Sequence, residues 1–294
     1  MDQVHRGSCG WTGAGLNGRR SGFLRILFLG DIVGRVGREA VISRLPGLRA
    51  ELSLDLVVVN GENASHGFGL SPAIGQDLFN AGADVITLGN HSWDRRDMIG
   101  HIDAEPRIIR PANYPPGTPG QGSVVVPLVN GHKALVISVM GRQFMDAMDD
   151  PFRAVSDILS RHRLGVTVQA IIVDVHAEAT SEKWAMGHVC DGRVSLVIGT
   201  HTHTPTADHR IFPKGTAFQT DAGMCGDYDS VIGMGKDAAI ARFVRKMPGE
   251  RLQPAEGDAS IAGMMVETDD ATGLARRMAP VRLGGHLAQT MPDF

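Results

Sequence analysis

Five short apolar runs, at residues 24–29, 56–59, 85–88, 170–173 and 194–198, each give way within a few residues to side chains able to hold a metal ion. Runs this short, rich in Val, Ile and Leu and bounded by Gly, Asn or Asp, read as buried strands rather than helices. They lead into Gly30-Asp31, Asn60-Gly61-Glu62-Asn63, Gly89-Asn90-His91, Asp174-Val175-His176 and Gly199-Thr200-His201-Thr202-His203. Helical patterns lie between them. Val41, Ile42, Leu45, Leu48 and Leu52 share one helical face over 36–54 despite Pro46, Ser71-Pro72 opens a helix that Gly82 closes, and Asp150-Pro151 opens one reaching Gly165. Residues 123–129 and 134–139 read as a hairpin turning at Asn130-Gly131. The tail at 240–281 mixes short strand candidates with turn residues and could close a sheet edge. Alternating strands and helices, with no internal repeat, linker or charge run, predict a single α/β domain over residues 24–294. Residues 1–23, rich in Gly, Ser and Arg, have no apolar segment of a signal peptide and are expected to form a flexible extension.

Ligands of open α/β sheets gather beyond the carboxyl ends of the strands, so residues distant in sequence can meet there. Asp31, Glu62, Asn90, His176, His201 and His203 form such a pool. His201 and His203, two apart, point the same way in extended backbone. Oxygen and imidazole donors without thiolate suit Fe, Mn, Zn, Co or Ni rather than Cu(I) or an iron–sulfur cluster. The 12 His beside 3 Trp and 2 Tyr point the same way, toward metal or proton chemistry. Asp174 reads as a group that orients a ligand histidine from behind.

Other classes fall away. Cys9, Cys190 and Cys225 are odd in number and far apart, which argues against a disulfide framework and for a reducing cytoplasm. No apolar run reaches the about 18 residues that span a bilayer. With 29 Lys+Arg against 32 Asp+Glu there is no electrostatic case for a nucleic-acid wrapper, although Arg35, Arg38, Arg95, Arg96 and Arg107 could make a small RNA patch. The glycines at 30, 34 and 37 are not spaced as in a dinucleotide loop, and a serine-hydrolase elbow is missing.

Gly30-Asp31, Gly61-Glu62-Asn63, Gly89-Asn90-His91, His176 and Gly199-Thr200-His201-Thr202-His203 together resemble the motifs of the calcineurin-like metallophosphoesterases, and in detail those of the YmdB-type bacterial branch. Asn63 directly after Glu62, the doubled Thr-His of 200–203 and the stretches at 110–115 and 228–233 resemble that branch in particular. The likeness runs from residue 24 to about residue 281. It implies the calcineurin-like α/β fold, a layered β-sheet core flanked by helices. It also implies two transition-metal ions, Fe or Mn foremost, with Zn, Co and Ni compatible. One ion would take Asp31, Glu62, Asn63 and His203; the other would take Glu62, Asn90, His176 and His201. Where most of the superfamily carries a His after the first Asp and a bridging Asp, this chain has Val33 and Glu62, and Asn63 would fill the coordination the missing His leaves.

The implied reaction is hydrolysis of cyclic nucleotides, 2′,3′-cyclic monophosphates and also 3′,5′-cyclic AMP, by a hydroxide between two ions about 3.5–4 Å apart. His91 would protonate or stabilise the departing alkoxide, or else be a structural histidine behind the ligands. A phosphatase or nucleotidase on the same metals, and a slow-turnover regulator binding RNA or nucleotide, are the alternatives. The expected protein is a cytoplasmic homo-oligomer acting on a small phosphodiester or nucleotide, with no membrane partner. The change Glu62→Gln, which removes one negative charge, is expected to relieve repulsion from Asp31 in the metal-free state.

Overall fold

Leu24, Ile26 and Phe28 face one side of the first strand, Leu27 and Leu29 the other, and both sets are buried. A strand covered on both faces lies inside a layered structure, and the period of two assigns each face to a different core. The computed structural model describes residues 22–128, 131–246 and 249–294. The chain begins with β1 (Phe23–Leu29), β2 (Asp31–Ile32), α1 (Gly34–Glu51), β3 (Leu56–Asn60), α2 (Pro72–Asn80), β4 (Val85–Thr87), α3 (Arg96–Ile99) and β5 (Ile108–Ile109). It continues through β6 (Ser123–Pro127), β7 (Lys133–Met140), α4 (Pro151–Leu159), β8 (Ala170–His176), α5 (Thr180–Cys190) and β9 (Leu196–Thr200). The last third holds β10 (Arg210–Ile211), β11 (Ala217–Gln219), β12 (Met224–Asp227), α6 (Lys236–Arg245), β13 (Ala259–Asp269) and β14 (Ala275–Leu283).

These strands form two sheets. One has the order β2-β12-β13-β1-β3-β4-β5 with β14 alongside β13, and the other has the order β10-β11-β9-β8-β7-β6. β1, β3 and β4 run parallel to one another, as do β7, β8 and β9, so each set brings its carboxyl ends together. Ile26, Phe28, Val58 and Val85 meet Val136, Ile172 and Ile198 between the sheets. Leu27, Leu29 and Val57 pack outward on Val41, Leu45 and Leu48 of α1; Ile137, Ile171 and Val173 pack outward on Val155 of α4 and Met186 of α5. The result is four layers, helix–sheet–sheet–helix.

Ser71 caps α2, its Oγ accepting from the Ile74 N–H, and Asp150 caps α4 by accepting from Phe152 and Arg153, each with Pro at the first helical position. β6 and β7 pair antiparallel as expected, while part of their Asn130-Gly131 turn lies outside the described residues. The expected 1–23 extension lies outside them up to residue 21; Gly22 donates its N–H to Asp270 Oδ2, and Phe23 pairs with Asp269.

Three expectations need correction. α4 stops at Leu159 rather than near Gly165, because Thr167 Oγ1 accepts from the Arg163 N–H and folds the following segment into a separate turn. Part of the tail is helix: α6 contains three alanines and basic residues, which favour helix over strand. The rest is two long strands, with β13 lying inside the sheet against β1 and β14 at its outer side. No helix among the described residues is long and apolar enough to cross a membrane.

Candidate metal centre

The carboxyl ends of both parallel sets open on one place, and hydrogen bonds cross between the sheets there. Asp174, at 0 % exposure on β8, accepts from Thr87 Oγ1 of β4 at 2.5 Å, Asn60 Nδ2 of β3 at 3.2 Å and Thr200 Oγ1 of β9 at 2.7 Å. The Thr200 hydroxyl has one proton, and it goes to Asp174. Thr200 therefore accepts from His176 Nδ1, 2.9 Å away, and this assigns the proton of that ring to Nδ1. His176 Nε2 then faces the site, and its lone pair would be available to a cation that displaces the proton it shares with Glu62. Asp174 thus orients His176 as expected, but through Thr200 rather than by touching it.

Around His176 Nε2 stand Asn90 Oδ1 at 2.9 Å, Glu62 Oε1 at 3.0 Å and His201 Nδ1 at 3.1 Å. One imidazole nitrogen cannot satisfy three such neighbours, and donor atoms converging this way match the needs of a transition metal. Atoms of Glu62, His176 and His201 lie within 4.8 Å of one another, a spacing that can hold a metal ion. Gly89 is required here, since a Cβ would strike Glu62 Oε2 and the His176 ring. His201 turns its Nε2 outward to Glu178 Oε2, 3.4 Å away.

Asp31, His203 and Asn63 lie alongside. His203 Nδ1 donates to the Ile232 carbonyl at 2.7 Å, which leaves Nε2 facing Asn63 Nδ2 at 3.2 Å and Asp31 Oδ1 at 3.8 Å. Asn63 Nδ2 is also 3.3 Å from Glu62 Oε1, so Glu62 touches both groups of residues. Asp31 Oδ2 accepts from the His201 N–H at 3.1 Å, but Oδ1 is buried with no hydrogen-bond partner, an arrangement that costs about 1–3 kcal/mol unless a cation faces it. Val33 contributes no donor and packs on Met224 and Met234.

Burial pushes the Asp31 carboxyl up to about 6 against the pull of His203 and His176, with Glu62 adding to the rise. Burial also opposes ionised Glu62, but the charge and hydrogen bond of His176, then His91 and His201, hold that carboxyl down at about 2. His176 resists charging because it is buried, yet Glu62, Asp31 and Asp174 lift it to about 9. Burial and the neighbouring His176 push His201 down to about 3. The site therefore attracts one positive charge even when only protons supply it. A metal cation supplies more charge, needs the same carboxylates ionised and the imidazoles neutral, and gives Asp31 Oδ1 a partner. The residues present fit such an ion.

The loop carrying His201 and His203 is strained, with φ of +96° and +63° at those two residues, and in the separate loop that holds His203 the φ of Ile232 is +47°. Thr202 holds it down: its N–H and Oγ1 both reach Asp221 Oδ2, at 3.2 and 2.8 Å. Asp221 in turn is paired with Lys183 Nζ at 2.8 Å, both fully buried. His91 sits at the rim, its Nδ1 2.9 Å from Asp94 Oδ2 and its backbone N–H on Glu62 Oε2. Asp94, Glu178, Asp221, Lys183 and the Ile232 carbonyl are supports that sequence reading missed. Only Glu178, two residues after His176, carried a signal in the chain.

The RNA patch is weakened by pairing: Arg35 with Glu39 and Glu256, Arg95 with Asp97, and Arg107 with Glu105. A cavity of about 610 Å³ along α4 and Arg110 touches none of the candidate ligands.

The chain matches the YmdB-like protein family over residues 27–281. It is 45% identical over 249 residues to the 2′,3′-cyclic-nucleotide 2′-phosphodiesterase of Bacillus subtilis, covering 85% of this chain and 93% of that one. A crystal structure of a hypothetical protein from Thermus thermophilus superimposes with a TM-score of 0.83 at 42% identity, covering 90% of this chain and all of that one. That of a novel phosphatase from Mycoplasma pneumoniae gives 0.83 at 33%, covering 89% and 94%. The two-sheet core flanked by helices is the calcineurin-like metallophosphoesterase fold. With a match that spans both sheets and every strand end of the site, the chain belongs to the YmdB-like family.

Proposed function

We propose that this protein is a two-metal phosphodiesterase that hydrolyses 2′,3′-cyclic nucleotides. The observation that carries the reading is the convergence of Glu62, Asn90 and His201 on His176 Nε2, with Asp31, Asn63 and His203 beside it. Asp31, Asn63 and His203 would hold one ion, Asn90, His176 and His201 the other, and Glu62 both. Fe and Mn suit this mixture of carboxylate, amide and imidazole best. Ions held there supply polarisation of the phosphoryl group and a water nucleophile near neutral pH.

The remaining work belongs to the chain. Thr200 and Ile232 fix which nitrogen each histidine presents. The Glu62 charge offsets the charge of two cations brought close together. His91, steered by Asp94, holds a proton at the rim for the leaving 2′-oxygen, as cleavage of the 2′ ester bond requires. Residues 24–294 act as one domain, supported by the shared core between the sheets. Ile240, Phe243 and Val244 at i, i+3 and i+4 on α6 are 48, 77 and 76 % exposed, and they support a homo-oligomer. Cys190 and Cys225, both free and buried, support a cytoplasmic setting.

The test is turnover of bis-p-nitrophenyl phosphate against p-nitrophenyl phosphate by protein loaded with Mn or Fe. Faster release from the diester, abolished by chelation, is the expected result. Preference for the monoester would make the protein a phosphatase, and full activity after chelation would remove the metals from the reaction.

A further inference from the structure

We propose that one wall of the metal cleft is a subsite for the nucleobase of the substrate, and that it accepts purines and pyrimidines alike. The inference rests on the cyclic-nucleotide reading above. The cleft has a volume of about 370 Å³ and a lining of two kinds. Glu62, Asn63, His201 and His203 are polar, and Phe68, Ile232, Met234 and Leu252 apolar, with Phe68, Met234 and Leu252 in one cluster that forms a wall. A phosphodiester of a small alcohol needs only the polar lining. A nucleoside also brings a flat ring with apolar faces, which the apolar lining can cover.

The wall is assembled from three separate segments, held by backbone hydrogen bonds and packing. Ser65 donates to Gly69 and Phe68 to Ser65, closing the first segment. Val231 and Met234 exchange N–H···O bonds of 2.9 and 3.0 Å, closing the second. Gly235 donates to Gln253 and Ala255 to Gly233, joining the third to the second. Gly67 lets the first segment lie on the third, because its φ is +85° and a Cβ would come within 2.8 Å of Pro254 Cγ. Behind the wall, Phe68, Met234 and Leu252 pack with Val33 and Met224.

The wall is also tied to the groups that face the phosphate. The Phe68 ring meets His91 edge to face, with centroids 5.1 Å apart, and the Ile232 carbonyl holds His203. A base seated there would thus be placed relative to both the proton donor and a ligand histidine.

Tolerance of different bases follows from what the wall lacks. None of the four apolar side chains carries a hydrogen-bonding group. Of the other polar residues on the cleft, Thr202 is committed to Asp221, and Glu178 faces His201 Nε2. Strong discrimination between bases comes from hydrogen bonds to their edges, and apolar contact alone separates similar ligands only weakly.

The experiment compares 2′,3′-cyclic AMP, 2′,3′-cyclic UMP and ribose 2,3-cyclic phosphate on the Mn-loaded protein. The two nucleotides should lie within about tenfold of each other in kcat/KM. Both should exceed the baseless ester by about tenfold or more, chiefly through KM. Leu252→Ala should shrink that advantage severalfold. If that variant does not fold, the substrate ratio of the unaltered protein decides alone. Equal kcat/KM with and without a base would overturn the subsite, and a thousandfold preference for one base would overturn its tolerance. If no diester is hydrolysed, the phosphodiesterase reading fails separately. Calorimetric titration with 3′-AMP and ribose 3-phosphate then decides the subsite: about tenfold tighter binding of 3′-AMP supports it, and equal binding overturns it.

Discussion

His176 and His203 both present Nε2 to buried carboxylates, yet one is anchored by side chains and the other by the main chain. His176 ends a strand, and Thr200 and Asp174 hold its far nitrogen through a network that crosses both sheets. His203 lies in a loop with positive φ, and a single carbonyl from another loop, that of Ile232, holds it. Three groups already lie near 3 Å from His176 Nε2, whereas Asp31 Oδ1 and His203 Nε2 are 3.8 Å apart and Oδ1 has no partner. The first half is preassembled around one nitrogen. In the second, Asn63 already reaches His203 and Glu62, and only Asp31 Oδ1 is left open for a cation.

Glu62 touches both halves, so Glu62→Gln is the change with the largest expected effect. It keeps the size of the side chain and removes the charge that two cations would share. Turnover of cyclic nucleotide should fall by about three orders of magnitude or more, and elemental analysis should find at least one ion lost. For metal-free stability the structure leads to a different prediction from relieved repulsion. His176, 3.0 Å from Glu62, outweighs Asp31 and keeps the Glu62 carboxyl ionised, so removing it leaves His176 short of a partner. Urea unfolding in chelator should show a loss of about 1–3 kcal/mol. A variant that binds two ions and turns over like the parent would remove Glu62 from the bridge.

His91 belongs to neither half, and His91→Ala separates proton delivery from metal holding. Metal content should stay at the parent level while turnover of a 2′,3′-cyclic nucleotide drops about 10²–10⁴-fold. Esters of p-nitrophenol, whose leaving group needs little protonation, should lose far less. An equal loss on both would place His91 among the positioning residues.

Thr200→Val probes the preassembled half alone. It removes the hydroxyl between Asp174 and His176 with little change in shape. Metal affinity should weaken by about 10–100-fold, and Thr200→Ser should restore it. Unaltered affinity would mean that the histidine is held by packing, not by its hydrogen bond.

How far the site could be read from sequence follows the same division. Asp31, Glu62, Asn90, His176, His201 and His203 were legible because apolar runs of strand length stop just before them. The strands themselves were legible because burial on both faces leaves continuous runs of Val, Ile and Leu. α5 was not, because two of its inward positions are charged. Glu182 is satisfied by the backbone N–H groups of Arg142 and Gln143, and Lys183 by Asp221, so the apolar period of a helix is broken. Asp94 and Asp221 resemble any surface aspartate until tertiary contacts give them partners. The anchor of His203 is a main-chain atom and leaves no trace in residue identity.

That anchor sets the smallest expected effect. Ile232 is β-branched and sits at φ +47°, a conformation that costs an L-residue about 1–2 kcal/mol. Ile232→Gly removes this strain and keeps the carbonyl that accepts from His203 Nδ1. Glycine also gains freedom in the unfolded chain, which takes back about 0.5–1 kcal/mol. The net change should be a small rise in stability, about 0.5–1 kcal/mol, seen as a higher urea midpoint. Because the carbonyl is unchanged, turnover of a baseless diester should stay within about threefold of the parent. A large loss of metal or of that turnover would show that the side chain of Ile232, and not its carbonyl, positions His203, and both halves of the site would then be held by side chains.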